Sequence, residues 1–384
     1  DYSSKNGTFT IDRDKLKAAL EENPEEVMKL FNNVSTSTDE IKKNNETGIM
    51  QRIKNILNDN FKFIDLFAGI GVIRMGAETV GGKCVFSSEI NPKAAKVYEK
   101  NFKENPLGDV TKINLNTLPN FDMLCAGFPC QPFSISGKKK GFEDTRGTLF
   151  FDICRIIDNK QPKVVFLENV KHLIHHDKGK TLKVILNTLE NMNYKVTYRL
   201  LNAKDFGVPQ NRERIIIIAS KKKKFDFDLL PMQKQVYLQN FLDENGEFEV
   251  LDKSQYTLLS QTTSQESGLI FCGYRNKNIW KKGIRENTLH LSRVHRQPNR
   301  IYSVEGVHPT IPSQESSGRF FIYIPKNNIV RKMTINECYR IMGFPENFIK
   351  DESMAECYKQ IGNSVCVPMI ETIIKEIIVQ GLLR

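Results

Sequence analysis

A cysteine held between two prolines, Pro129-Cys130-Gln131-Pro132, follows directly on the apolar run DMLCAGF. A thiol at the end of such a run, on a backbone fixed by flanking prolines, becomes a nucleophile wherever nearby positive charge lowers its pKa. Packing alone gives no reason for PCQP, whereas Cys125, five residues earlier, reads as a small buried hydrophobe. Two other apolar segments carry different chemistry at their ends. FLENV places Glu168 and Asn169 at a run's end, and QNRERI places Arg212 and Arg214 just before IIIIA. Singly, a Glu or an Arg so placed more often forms a structural ion pair. With Cys130 they offer a thiol, an acid and a guanidinium to one crevice.

A second group points to a nucleoside ligand. DLFAGIG, residues 65–71, closes an apolar run and opens a helix-like stretch. Gly69 and Gly71 permit a tight turn and the close approach of a ligand. The pattern is not GxGxxG, so a dinucleotide is not the first choice. Glu89 follows Gly69 by twenty residues in SSEIN, where an acid suits ribose hydroxyls. Asp109, in GDV, stands where a third strand is expected to end and suits an adenine amino group.

The elements that must position these residues are legible as period and length. KFIDLF, KCVFSSEI, FDMLCAGF, KVVFLENV and RIIIIAS are near-continuous apolar runs of strand length, most of them separated by helix-like stretches. That pattern belongs to strands buried on both faces, hence an α/β, doubly wound, mostly parallel sheet. Regularity fades after the lysines at 221–224, and 225–330 reads as irregular and polar. TINECYRIMGF and CVPMIETIIKEIIVQGLL restore helices. The division expected is 1–60 as an N-terminal extension, 61–225 as a catalytic, cofactor-binding domain, 226–349 as a smaller recognition domain, and 350–384 as a segment returning to the catalytic domain.

Charge narrows the partner. The net charge of +11 is uneven: residues 1–60 hold 9 Lys/Arg against 11 Asp/Glu, net −2, leaving 47 against 34, net +13, for the remainder. A basic excess confined to one part favours a polyanion, with nucleic acid first. No apolar run approaches the roughly 20 residues of a membrane span, and no signal-peptide pattern opens the sequence. The 8 cysteines are scattered without CxxC spacing, which fits a reducing, cytoplasmic setting and neither a zinc site nor a disulfide framework. His172, His175 and His176 have no matching ligand cluster, so no metal is expected.

The order DLFAGIG, GFPCQPFS, LENV, QNRERI, MTINECYRIMGFP, QIGNSV resembles the DNA cytosine-5 methyltransferases, especially the small bacterial restriction–modification enzymes, over residues 61–384. The resemblance implies the fold of S-adenosylmethionine-dependent methyltransferases and transfer of a methyl group to C5 of a cytosine flipped out of double-stranded DNA. Cys130 would attack C6. Glu168 would contact N3 and the exocyclic amine, Arg212 would donate to O2, and Arg214 would support the site. Phe67, Gly69, Gly71, Glu89, Ile90, Asp109, Pro129, Asn363 and Ser364 match the cofactor positions. SISGKKKGFEDTRG resembles the loop that closes over the flipped base, with Ser134, Ser136 and Arg146 at the DNA and Lys138, Lys139 and Lys140 on phosphates.

Gly273–Arg300 is rich in Lys and Arg with interleaved aromatic and amide residues, a composition suited to groove and phosphate contacts. NRIYSVEGVHPTI resembles the family's recognition core, with Thr310-Ile311 where Thr-Leu is usual. Gln297, thirteen residues before Thr310, is the candidate to fill the gap left by the flipped base, and Arg300 is a further DNA candidate. The implied enzyme is a monomer in the bacterial nucleoid, with a cognate restriction endonuclease that it does not touch. Residues 1–60 resemble the C-terminal part of the flagellar filament-cap (hook-associated) protein, which suggests a fusion. Two alternatives remain open on sequence: a tRNA cytosine-5 methyltransferase, and a silent fusion with a flagellar structural role.

Overall fold

The computed structural model describes residues 61–129, 149–276 and 287–384, together with Tyr2–Ser3, Thr8–Phe9, Glu22, Asn23 and Val27. Contacts divide the chain into two units, Asp1–Asn60 and Phe61–Arg384. In the first, strands Tyr2–Ser3 and Thr8–Phe9 pair antiparallel. Of the helical pattern expected between Leu16 and Phe31, the described part is a single bond from Val27 N to Asn23 O at 3.3 Å. The rest of that expectation lies outside the described residues.

In the second unit the chain runs β1 (Lys62–Leu66), α1 (Val72–Thr79), β2 (Lys83–Ser88), α2 (Pro92–Phe102), β3 (Met123–Ala126), α3 (Leu149–Lys160), β4 (Val164–Val170), α4 (Lys180–Asn191), β5 (Lys195–Asn202), β6 (Gln210–Asn211) and β7 (Glu213–Ser220). Next come β8 (Tyr256–Ser264), β9 (Ile270–Arg275), β10 (Arg300–Ser303), β11 (His308–Pro309), β12 (Phe321–Ile324) and β13 (Ile329–Lys332), then α5 (Ile335–Arg340), α6 (Met354–Asn363) and α7 (Val367–Val379).

Six strands form the main sheet, in the order β2-β1-β3-β4-β7-β5. The first four are mutually parallel, and β7 runs antiparallel to both of its neighbours. Strand period 2 sends successive apolar residues to opposite faces. Phe63, Cys125, Phe166 and Ile216 join α1, α2 and α7 in one core, while Ile64, Leu124, Leu167 and Ile217 join α3 and α4 in the other. Burial on both sides is why these strands need no polar alternation. Local signals set the helix starts. Asn91 Oδ1 accepts from Lys93 N and Ala94 N, with Pro92 at the first helical position of α2. Gly76 lets α1 and α7 touch, since an added Cβ would lie 2.8 Å from the Ile370 side chain.

The segment expected to be irregular contains a five-stranded sheet, β8-β9-β10-β12-β13. Its strands are legible only in space. Register shifts interrupt β8 between Leu258 and Thr263 and β9 between Phe271 and Gly273, and β10 pairs with β12 in parallel. Each break resets the alternation that a sequence reading relies on.

Arg331 at the edge of this sheet pairs with Glu337 of α5. Nη1 donates to Oε2 at 2.9 Å and Nη2 to Oε1 at 2.6 Å, and neither side chain is more than 1% exposed. Glu337 also accepts from Thr334 N and Asp243 N, closing a capping box, and the guanidinium lies 3.9 Å from the Phe248 ring centre. Removing one partner leaves a buried charge uncompensated. Glu337→Leu is therefore expected to cost about 3–5 kcal/mol in urea unfolding. The double change Arg331→Met with Glu337→Leu should recover most of that loss. A double variant as unstable as the single one would refute the ion-pair account.

Candidate active site

The direction of β7 assembles the site. The carboxyl ends of β1, β3 and β4 share one edge of the sheet, and the reversed β7 brings its amino end there, pairing Arg214 with Val170. Ligands of doubly wound sheets bind at this edge. The loop after β1 turns through left-handed backbone at Phe67 (φ 56°), Gly69 (φ 57°) and Gly71 (φ 89°). Glu89 fixes it: one carboxylate oxygen accepts from Gly69 N at 2.7 Å and the other from Asn91 N at 2.7 Å. A Cβ at Gly69 would meet nothing within 4 Å, so the loop backbone is bare toward open space.

That space is a cavity of about 500 Å³, within the usual size for a small-molecule site. Of the expected cofactor residues, Phe67, Gly69, Glu89, Ile90 and Pro129 line it, and Asn363 and Ser364 close it from α6. Two others do not line it. Gly71 caps α1, and its missing side chain is required by Phe102, whose ring would lie 2.1 Å from a Cβ. Asp109 caps a short 3-10 turn, accepting from Thr111 N at 2.9 Å and Thr111 Oγ1 at 2.8 Å, which hold it below the usual carboxylate range. The third strand expected before it is only a single bridge between Ser88 and Leu107.

On the cavity lining Arg214 Nε lies 2.9 Å from Glu168 Oε1, with side chains 9% and 14% exposed. Burial raises the Glu168 pKa above its ordinary value, against the opposing pull of Arg214 and Arg212. Asn169 donates from Nδ2 to Phe128 O at 2.7 Å, tying the end of β4 to the turn that leads into Cys130. Cys130 itself lies outside the described residues, as do Ser134, Ser136, Lys138, Lys139, Lys140 and Arg146.

Arg212, expected to contact a pyrimidine oxygen, lies away from the cavity in this structure. Its side chain has no exposed surface and does not reach the cavity lining. Nη1 donates to Ile311 O at 3.4 Å, and Nη2 to Gly362 O at 2.8 Å and to Ser364 O. A fully buried cation must take the acceptors within reach, and here these are backbone carbonyls. Arg214 is the arginine facing the cavity.

The recognition candidates are not on the cavity lining. Gln297 is exposed in a 3-10 turn, Arg300 Nε donates to His295 O at 3.0 Å, and Thr310 Oγ1 donates to Asn211 O at 2.8 Å. His176 Nδ1 is 2.7 Å from Thr181 Oγ1, and no metal-binding group occurs among the described residues. None of their helices is long and apolar enough to cross a membrane. Sequence reading missed Phe128, Ile73 and Gln360, all on the cavity lining. Gln360 falls within QIGNSV, so its signal was present; the two apolar residues carried none beyond burial.

Residues 61–379 match a family model described as C-5 cytosine-specific DNA methylase, and residues 1–80 match one for the C-terminus of flagellar hook-associated protein 2. Type II methyltransferase M.HhaI of Haemophilus parahaemolyticus is 39% identical over 84% of this chain and 96% of its own length. Type II methyltransferase M.HpaII of Haemophilus parainfluenzae is 44% identical over 84% of this chain and 90% of its own. Among solved structures, the Entamoeba histolytica methyltransferase EhMeth matches with a TM-score of 0.58 at 21% identity, over 84% of this chain and 99% of that one.

Beneath the loop lies one carboxyl that the sequence reading left out. Asp65, near the end of β1, is fully buried, and neither oxygen meets a hydrogen-bond partner of good geometry among the described residues. Burial pushes its pKa up to about 8, with Arg74 pulling only partly back. A folded pKa above the unfolded one means that its contribution to stability is full below about pH 4 and is lost as pH rises toward about 8. The fall is at most about 1.4 kcal/mol per pH unit. Asp65→Asn should flatten the decline in urea midpoint between pH 5 and 8; an unchanged slope would assign it elsewhere.

Proposed function

The chain belongs to the C-5 cytosine-specific DNA methylase family, and from that premise we propose that it transfers a methyl group from S-adenosylmethionine to C5 of a cytosine flipped out of a short, specific duplex sequence. The observation that carries the reading is that the buried Glu168–Arg214 pair and the Gly69–Glu89 loop line one cavity. The residues present fit the cofactor. Glu89 uses one lone pair on each oxygen within the protein and has acceptor capacity left for ribose hydroxyls. Phe67 and Ile90 offer apolar surface to the adenine. When bound, S-adenosylmethionine supplies an electrophilic methyl group.

Cytosine C5 is a weak nucleophile, and the side chains act on that weakness. The Cys130 thiolate adds to C6, forming a C–S bond and moving the ring electrons toward C5. Burial raises the Glu168 pKa above its ordinary value, and the carboxyl is placed to hydrogen-bond N3 and the exocyclic amine of the ring. Arg214, the member of the arginine pair that lines the cavity, donates to O2 and stabilises charge developing on the ring. As C5 bonds to the methyl carbon, the sulfonium S–CH3 bond would break and leave S-adenosylhomocysteine; loss of the C5 proton to a water acting as base would then expel the thiolate and restore aromaticity. The base leaves the stack at a cost of a few kcal/mol.

We read the enzyme as the modification partner of a restriction–modification pair, acting as a monomer at the nucleoid, because the curated relatives compared are Type II methyltransferases. No specific observation favours the tRNA alternative.

Bisulfite sequencing of DNA from a methylation-free bacterial host expressing the chain should show methylcytosine confined to one short recurring sequence. Cys130→Ala should abolish it; unmodified DNA from folded parent protein would refute the proposal. In vitro, Glu168→Gln and Arg214→Ala should each lower kcat by about 100-fold or more. An Arg214→Ala enzyme with parental kcat would return the O2 contact to another residue.

A further inference from the structure

The edge of the main sheet opposite the crevice carries a row of lysines. Lys62 and Lys83 begin β1 and β2 and are register partners. Backbone bonds continue the line from Lys62 to Asp122 and on to Val164, and join Lys221 N to Lys163 O at 3.0 Å. Lys195 opens β5 opposite Ser220, and Lys222, Lys223 and Lys224 extend the end of β7. Thus every strand of the sheet except β3 presents a lysine at or next to this end; β3 presents Asp122. With strands about 4.8 Å apart, the row spans roughly 24 Å.

Some of these cations have structural work. Lys163 pairs with Asp122 at 3.0 Å and donates to Leu383 O, Lys221 donates to Met192 O, and Lys222 to Gly381 O. Lys62, Lys83, Lys195, Lys223 and Lys224 are exposed and have no carboxylate partner among the described residues. Asp158, Glu190 and Asp226 are the other acids near this edge. The carboxyl ends of α1, α3, α4 and α7 also lie at this edge, and Lys163, Lys221 and Lys222 donate to carbonyls that follow α7 and α4.

Resting on the reading of the chain as a DNA enzyme, we propose that this lysine edge is a second, sequence-independent contact for duplex DNA, holding a segment other than the one in the crevice. Charge complementarity supplies the fit: closely spaced phosphates meet a line of unpaired ammonium groups, which neutralise backbone without reading bases. Distance separates the segments. The seven residues of β4 span roughly 20 Å from edge to edge, about the width of a duplex, so straight DNA in the crevice does not reach the row. Two contacts on opposite edges would let the enzyme pass between DNA segments without full release.

The test uses the full chain and a variant with Lys62, Lys83, Lys195, Lys223 and Lys224 each changed to Gln. Binding to a random-sequence duplex is measured against salt, and bridging is read as energy transfer between donor-labelled and acceptor-labelled duplexes. The variant should keep methyl transfer on a single short duplex, lose bridging, and show a log K against log salt slope shallower by about 2 or more. A variant with the parent's slope and bridging overturns the proposal while leaving the methyltransferase reading intact; this includes bridging by a dimer through two crevices. A parent that neither methylates nor binds duplex DNA overturns both.

Discussion

A guanidinium with no exposed surface cannot be left without acceptors, and Arg212 thereby dictates where two distant segments of the chain must lie. Its acceptors are Ile311 O, just after β11, and Gly362 O and Ser364 O at the end of α6. The last two are free because a helix leaves its final carbonyls unpaired, and the negative end of the helix suits a cation. Gly362 makes the approach possible, since any side chain there would run into the backbone of Ser313. The cavity wall formed by Asn363 and Ser364 and the segment leading out of the smaller sheet are thus pinned to one side chain. Arg212 reaches that position only because β7 is reversed within an otherwise parallel neighbourhood.

The same reversal sets the electrostatics of the cavity. Arg212 and Arg214 are two residues apart, and burial together with its neighbour pulls the Arg212 pKa down. Carbonyl dipoles hold the first arginine, which leaves the second to Glu168. Burial of Glu168 acts against its ionisation, and both guanidinium groups favour it; burial prevails. The result is a carboxyl whose ionisation burial disfavours, beside a fixed cation. That combination supports the reading of a ring activated at N3 and O2.

Much of this was legible as pattern, and the failures have physical causes. The apolar runs named β1 to β4 and β7 correctly, because burial on both faces leaves a compositional mark. An apolar run carries no direction, however, so the reversal of β7 was invisible. The division of labour between Arg212 and Arg214 was invisible with it. Gly71 looked like a ligand contact because a glycine required by a neighbouring ring reads the same as one required by a ligand. Asp109 was placed by counting strands, and the strand it was to follow is a lone bridge. The smaller sheet disappeared into apparent irregularity because its register shifts break the period. Asp65 stood in plain view within DLFAGIG, but its burial is a property of packing and leaves no trace in residue order.

The two family matches overlap, since both include residues 61–80. Packing decides between them. β1 lies between β2 and β3 with hydrogen bonds on both sides, and Phe63 and Ile64 are completely buried in the two opposed cores. α1 packs on α7 through Gly76, at a distance no other residue would permit. A flagellar segment extending to residue 80 would have to own the strand from which the cofactor loop springs, and the methylase sheet would lose its interior. The contacts instead part at Asn60 and Phe61. Residues 61–80 therefore obey the constraints of the methylase sheet, whatever local likeness they share with the other family. The feature that fixes the seam is the same one that fixes the site: a strand whose every side chain but the first is buried, and whose last residue opens onto the loop held by Glu89.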